Sequence, residues 1–469
     1  MVRAASACPA CHDWEDAGVL NLALACFVLM LLALGLRRPF IWVLLYLYID
    51  ILAPQKFPFS LLASVPISLI AFVLAVVGWA LFDDKTGLRF SFRQALLLLL
   101  LIYCGISTQT AAFPGPAAGK WDWVWKALVF AIFMPLTLTT RLRLEAASLV
   151  MVLSAAAIII EGAIKTLAGG GGYNMLKFFV NDNTGLYEGS TLATVGIALV
   201  PLALWVSRHG TVFPPDWRTR LFGLGVGFAA LLIPVGTEAR TGLLCAGLLA
   251  VLMLRTVKNR GLYIVMMALA GFIAMPLLPS SFAKRMNTIE NHKADESAST
   301  RIAVWTWTLH YVADHPFGGG FEAYRGNKLV IDTQSASSAG GVTTMKDGET
   351  TDAGRAFHSA YFEMLGEQGW AGLALWLTIQ ISGIVQLEGA LRHLRKSADP
   401  RDKRDAAMAL ALQQGHIVYM LGACFVGIAF QPFIYMLIGL QIALVRQVGE
   451  RRRARLQPAG RMRMQGATA

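Results

Sequence analysis

From Leu61 to Phe82 the chain reads LLASVPISLIAFVLAVVGWALF, 22 residues without one charged side chain. Wound as a helix at about 1.5 Å per residue, such a run covers the ~30 Å hydrocarbon layer of a bilayer. Similar runs recur on both sides of it. Read for apolar length, candidate membrane segments fall near 17–36, 39–54, 61–82, 94–112, 122–139, 144–164, 188–207, 220–236, 241–255, 261–279, 358–388, 406–429 and 431–446. Across all 469 residues, 56% are hydrophobic and 15% charged, and mean hydropathy is +0.55. A soluble chain is closer to a quarter charged, and one soluble core could not bury this excess. Composition therefore excludes a soluble enzyme and a disordered chain. It predicts an all-α polytopic membrane protein with about 12–13 transmembrane helices.

The net charge of +12 could suggest nucleic acid, but its distribution speaks against a nucleic-acid partner. Of the 41 basic residues, 26 lie in alternate connections. These hold Arg37-Arg38, Lys85/Arg89/Arg93, Arg141/Arg143, Arg208/Arg218/Arg220, Arg255/Lys258/Arg260, the run Arg392 to Arg404, and the tail from Arg446. Cytoplasmic loops collect Lys and Arg, whereas long translocated loops are exempt from the count. The C-terminus is thus expected inside and the long loop 280–357 outside. Thirteen spans leave the N-terminal tail outside, and a shallow pair at 17–54 lowers the count. Four regions are expected: N-terminal transmembrane helices in 1–279, a loop domain in 280–357, C-terminal transmembrane helices in 358–446, and a basic cytoplasmic tail in 447–469. No cleavable signal peptide or internal repeat is expected. Cys8-Pro9-Ala10-Cys11-His12 matches a haem-attachment pattern, but a chain terminus offers no pocket for haem, so no cofactor is expected.

The inward connections are short and basic, while the outward ones carry varied polar chemistry. They include Lys165, the glycine run Gly169 to Gly172, Lys177, and Asn181-Asp182-Asn183. They also include Thr237-Glu238-Ala239-Arg240-Thr241-Gly242, a tight connection between two apolar runs. Arg240 sits at the membrane boundary on the side where the orientation rule calls for no cation. A charge at such a depth is a functional candidate by default. The alternatives are snorkelling to water or pairing with Glu238.

Within the long loop, Ser297-Ala298-Ser299-Thr300 precedes Ile302, Trp305, Leu309 and Val312, spaced as in an amphipathic helix. Its aromatic content suits the outer membrane–water interface. Arg301 is expected in the first turn, where free backbone N–H groups and a guanidinium fork both suit phosphate. A plain surface arginine is the even alternative. Asp314-His315-Pro316-Phe317-Gly318-Gly319-Gly320 reads as a helix stop and hinge, and it lacks the Lys-Ser/Thr of a phosphate loop. His358 opens the next apolar run beside Arg355. A neutral imidazole at a cavity mouth is a natural general base, although a lone interfacial His is more often only hydrogen-bonded. No metal-ligand set is visible on this side.

Taken together, Arg240-Thr241-Gly242, Arg301 with Trp305, His315-Pro316 with Gly318 to Gly320, His358-Ser359-Ala360-Tyr361 and Glu367-Gln368-Gly369-Trp370-Ala371-Gly372 resemble the bacterial O-antigen ligase and polymerase superfamily. The likeness covers roughly 180–385, with Ser359 where many members have Asn. The N-terminal region, with Arg37-Arg38-Pro39-Phe40 and Ala53-Pro54-Gln55, resembles more loosely the O-glycosylation ligases found with exosortase systems. The resemblance implies a GT-C-like inverting glycosyltransferase of the inner membrane, acting at its periplasmic face without metal. It implies an undecaprenyl-pyrophosphate-linked glycan as donor and a lipid A-core hydroxyl as acceptor, with membrane lipids around. His358 would then be the general base, and Arg240 and Arg301 would hold the pyrophosphate. Arg355, Arg285, Lys165, Lys177, Asn181, Asp182 and Asn183 would be weaker contributors to glycan or phosphate binding. The alternatives are a polymerase or protein ligase of the same superfamily and, from another class, a lipid-linked oligosaccharide flippase. A flippase would need charges deep within several spans, whereas here they gather on one face.

Overall fold

The computed structural model describes residues 9–57, 61–85, 88–169, 185–274, 296–339 and 342–456. Lys177, Asn181, Asp182, Asn183, Arg285 and the start of the Cys8–His12 stretch lie outside them. The described chain is helical apart from one hairpin. Ten helices come first: α1 (Pro9–Arg37), α2 (Phe40–Leu52), α3 (Ile67–Phe82), α4 (Phe92–Gln109), α5 (Pro114–Thr137), α6 (Arg141–Leu167), α7 (Gly189–His209), α8 (Trp217–Gly236), α9 (Arg240–Met253) and α10 (Arg260–Ala274). Then come α11 (Glu296–Asp314), strands β1 (Lys328–Ala339) and β2 (Val342–Ala353), α12 (Ala360–Leu394), α13 (Pro400–Gly422) and α14 (Pro432–Leu456). Every apolar run read from the sequence contains a helix, as an all-α polytopic membrane protein requires.

Helix lengths refine that reading. Among the described residues, α4, α6, α7, α8, α12 and α14 are long and apolar enough to cross a membrane. The run 61–82 becomes helical only from Ile67, because Pro66 has no N–H and disfavours helix at Val65. Helix α2 has 13 residues, most of them buried. At about 20 Å it is shorter than the hydrocarbon layer. The run 406–429 is not one helix: α13 ends at Gly422, and the irregular stretch that follows helps to wall the cavity described below.

Packing centres on α7, which touches α6, α8, α9 and α13 and is 83% buried over its apolar window. Small residues allow the close approaches usual between membrane helices. A Cβ on Gly415 of α13 would lie 2.4 Å from the Ala198 carbonyl oxygen of α7. Four helices are also joined by buried polar groups. Arg93 Nη2 (α4) donates to Gln441 Oε1 (α14) at 3.0 Å. Gln441 Nε2 lies 3.0 Å from His416 Nδ1 (α13), and His416 Nε2 lies 2.9 Å from Gln380 Oε1 (α12).

The long loop departs from the expectation of amphipathic helices alone. After α11, β1 and β2 pair antiparallel with Lys328 opposite Ala353 and Ala339 opposite Val342. Ser- and Thr-rich alternation flanking Gly340-Gly341 in the sequence is the kind of pattern that favours such pairing. Helix α11 also turns differently from the reading. Thr300, Val304, Thr308 and Val312 are buried, while Ile302 and Leu309 are exposed. It begins no later than Glu296, so Arg301 stands in its second turn, away from the free amides of the first. Capping signals at Ser297 to Thr300 were overridden because helix continues upstream of them.

Candidate active site

Three contacts hold the segment that presents His358. Asn327, fully buried where the hairpin begins, donates from Nδ2 to the Arg355 carbonyl at 2.7 Å and accepts from Arg355 N–H at 3.0 Å. Trp305 of α11 donates its indole N–H to the Phe357 carbonyl at 2.8 Å and stacks on Phe362 with centroids 4.9 Å apart. Just beyond, Ala360 N–H donates to the Ala423 carbonyl at 2.8 Å. Between these anchors His358 takes a left-handed conformation, φ 47°, which is costly for a residue with a Cβ.

The two glycine motifs dock backbone to backbone. Gly319 and Gly320 donate to the carbonyls of Gly366 and Glu367 at 3.0 and 2.9 Å, and Trp370 N–H donates to the Pro316 carbonyl at 3.0 Å. Gly369 kinks α12 with φ 66°, and a Cβ there would lie 2.2 Å from the Pro316 oxygen. The hinge read at Gly318 to Gly320 is therefore a lock. Its Gly319 and Gly320 amides are engaged by carbonyls, which leaves them unavailable to cradle phosphate.

These elements surround a cavity of about 1330 Å³. His358 and Arg301 both line it, with Glu188, Lys120, Glu322, Arg325, Glu363 and Glu367. Each contributing helix reaches it with the end away from the basic connections, so the cavity opens on one side of the helix assembly. Among the described residues the non-glycine positions with positive φ are Ala53, Glu238, Glu322 and His358. Three line the cavity and Glu238 adjoins Thr237, which does. Strain gathered in this way is a mark of functional sites.

The electrostatics are set by a few groups. Burial and the Arg301 guanidinium hold the His358 pKa below its ordinary value; Glu188 opposes the shift and Arg355 adds to it. Glu188 is fixed by capping α7, accepting from Ser190 N–H at 3.0 Å and Thr191 N–H at 2.5 Å. On another part of the wall, Lys120 Nζ bridges Glu363 at 2.6 Å and Glu367 at 2.8 Å. Glu367 also accepts from Glu322 N–H at 3.0 Å, and Glu363 from Ala429 N–H at 3.0 Å. Among the described residues, no cluster of three or more His, Cys, Asp or Glu is arranged to hold a metal ion.

Of the residues read from the sequence, His358 and Arg301 are brought together. Arg240 starts α9, near Thr237 of the wall but not itself lining it. Arg355 is exposed and paired with Asp352, acting on His358 from outside the cavity. Lys165 pairs with Glu161 at 2.5 Å on α6 and does not line the cavity. Sequence reasoning passed over Lys120, Glu188 and Glu322. Lys120 carried a usable signal, since it is a cation in a connection that the charge rule reads as outward, as unexpected there as Arg240.

A family model described as O-antigen ligase matches residues 225–377, and one for a family of unknown function matches residues 19–211. No curated protein matches the chain. The chain is thus a multi-pass helical membrane protein with a stretch similar to the O-antigen ligase family. That similarity supports the O-antigen ligase and polymerase superfamily and a glycosyltransferase-type activity, with a lipid-linked glycan donor and a lipid acceptor in general terms. The match covers Arg240, Arg301 and His358. The match over 19–211 adds no function of its own.

Proposed function

We propose that this protein is an inverting O-antigen ligase-type glycosyltransferase of the bacterial inner membrane. It moves a preassembled glycan from undecaprenyl pyrophosphate to a hydroxyl of lipid A-core at the periplasmic face. His358 removes the acceptor hydroxyl proton. The oxygen attacks the anomeric carbon from the face opposite the pyrophosphate, whose bond to that carbon breaks, and undecaprenyl pyrophosphate departs. Arg301, with Arg240 behind the wall, offsets the charge gained by the leaving group. Pyrophosphate is already a good leaving group, so a base and cations suffice.

The observation that carries this reading is the pairing of His358 with Arg301 in one cavity. Desolvation and the cation both lower the His358 pKa, which favours the neutral imidazole that a base needs, and the cation is itself the partner a phosphate needs. The test is transfer by purified protein from the undecaprenyl-pyrophosphate-linked glycan to lipid A-core in EDTA. Wild type should transfer, and His358→Ala should still bind donor but lose transfer. Translocation of lipid-linked glycan without transfer would instead mean a flippase.

A different acceptor would show in the same assay. Much of the cavity wall, including Asp50, Gln55, Lys120, Trp123 and Glu188, comes from the part matched by the family of unknown function. Glycan chain extension or protein glycosylation in the same assay would keep the chemistry and move the acceptor to a growing glycan or a protein hydroxyl.

A further inference from the structure

At the end of α12 remote from His358 lies a second, smaller cavity of about 230 Å³. Leu391 of α12 and Arg395 just after it line one side, and Lys403, Ala406, Ala407 and Leu410 of α13 line the other. In each case the residues share a face. Leu391 and Arg395 have i, i+4 spacing, and the four on α13 follow i, i+3, i+4 and i+7. Leu391 and Ala406 are buried, Ala407 and Leu410 are half-buried, and the two cations are exposed.

The packing of α13 leaves those cations without an acid. Its three aspartates lie on another face and are taken up by arginines of other helices. Arg455 of α14 pairs with Asp399 and Asp402, both at 2.7 Å, and Asp405 pairs with Arg451 of α14 and with Arg141 of α6. On α12, Glu388 is held by Arg255 at 2.8 Å and by Arg392 at 2.7 Å. These four are all the acids between Leu387 and Leu410, and neither Arg395 nor Lys403 joins any of their pairs. The cavity therefore presents uncompensated positive charge.

Charge alone would suit any anion, but the apolar floor narrows the ligand. A free phosphate gains nothing from Leu391, Ala406, Ala407 and Leu410. Helix α12 is also long and apolar enough to cross a membrane. Ile381, about four turns from Arg395 on the same face of α12, is 55% exposed, so the cationic end continues into an apolar surface. A molecule that joins a phosphate group to an acyl chain matches both parts. The volume is several times the ~30 Å³ of one water, which suits a headgroup. Basic pockets between membrane helices are recognised sites for anionic headgroups.

We propose that Arg395 and Lys403, over this floor, form a binding site for an anionic phospholipid. Its phosphodiester sits between the two cations and an acyl chain runs along α12. The site belongs to the connection that the charge rule reads as inward. None of its residues lines the His358 cavity, and it does not depend on the glycosyltransferase reading.

The test titrates delipidated full-length protein in detergent with phosphatidylglycerol or phosphatidylcholine, read by native mass spectrometry and thermal unfolding. Wild type should bind phosphatidylglycerol more tightly and be stabilised by it, as a ligand of the folded state does. Arg395→Gln with Lys403→Gln should lose about tenfold or more of that affinity. Lys396→Gln with Arg401→Gln removes two nearby exposed cations that do not line the cavity and should keep it. Ala407→Phe fills the floor without changing charge and should also weaken binding. Unfolding without lipid checks that each variant folds, and Arg395→Gln alone serves if the double variant does not. Equal binding of the two lipids, an equal loss in the Lys396 and Arg401 variant, or full affinity in Ala407→Phe would each overturn the site in favour of diffuse surface charge. Displacement of phosphatidylglycerol by inorganic phosphate at matched ionic strength would overturn the lipid as its ligand.

Discussion

The Trp305 indole N–H donates to the Phe357 carbonyl at 2.8 Å, and the peptide it grips is the one whose nitrogen belongs to His358. A residue of the long loop thus sets the backbone of the proposed base, which is otherwise held in an unfavourable left-handed conformation. Trp305→Phe keeps an aromatic ring beside Phe362 and removes this bond together with part of the indole's packing. The expected stability loss is about 1 kcal/mol, with a larger fall in kcat than in donor affinity. Thermal unfolding and transfer kinetics on the same preparation check both.

Arg301 lines the cavity and Arg240 does not. Arg301→Ala should therefore lower transfer about 100-fold or more, in the range for removing a donor to developing charge, and Arg240→Ala should lower it less. Arg301→Lys should recover only part of the loss, because an ammonium does not reproduce the planar fork. Equal losses at both positions would show that Arg240 reaches the pyrophosphate directly.

The pH dependence has a definite sign. A base must be neutral, so transfer should rise with pH through the His358 pKa, below the ordinary ~6.5, because burial and Arg301 lower it. Arg301→Gln removes one of those causes and should move this acid limb to higher pH. For stability, the unfolded chain binds the His358 proton more tightly than the folded chain. Stability from this group is therefore complete above about pH 6.5 and falls as pH drops toward the folded pKa. A pH–rate profile of wild type and Arg301→Gln measures the first effect.

Lys120 stands between Glu363 and Glu367 at 2.6 and 2.8 Å, with Glu367 fully buried. Lys120→Met leaves two carboxylates without their cation and should cost about 3–5 kcal/mol. Adding Glu367→Gln should recover part of that. Chemical unfolding of the two single variants and the double variant gives the coupling.

Gly369→Ala meets both a positive φ and the Pro316 oxygen, and should cost about 3 kcal/mol or more. Gly389→Ala in the same helix meets nothing within 4 Å and should be neutral or stabilise by up to ~1 kcal/mol. Comparable losses at both positions would show that the backbone lock carries little stability.

Much of the fold was legible in the sequence, because apolar length reports directly on burial in lipid. The runs at 144–164, 188–207 and 431–446 became long helices with little change. Legibility failed where a local signal competed with its surroundings. Pro66 cut short the run at 61–82, and Thr300, set in a sequence that reads as a helix start, lies inside α11. The hairpin 328–353 passed unseen within a loop read for helices, although its alternation and Gly340-Gly341 were available.

The candidate site divides in the same way. His358, Arg301 and the glycine motifs stood out because their residue types are unusual at a boundary read as outward, and charge placement there carries a free-energy cost that sequence alone reveals. Lys120 and Asp50 did not stand out, since each is a single charge at the edge of an apolar run and gains meaning only from partners far away in the chain. Lys120 meets Glu367 across 247 residues, and that meeting depends on how α5 packs beside α12. By itself the sequence determined a helical membrane protein and the segments between which its charged residues gather, because hydrophobic length and charge placement are properties of local segments. Only the tertiary structure decided which of those charges share a cavity, because side-chain proximity is set by helix packing and by the backbone lock between Gly318–Gly320 and Gly366–Gly369.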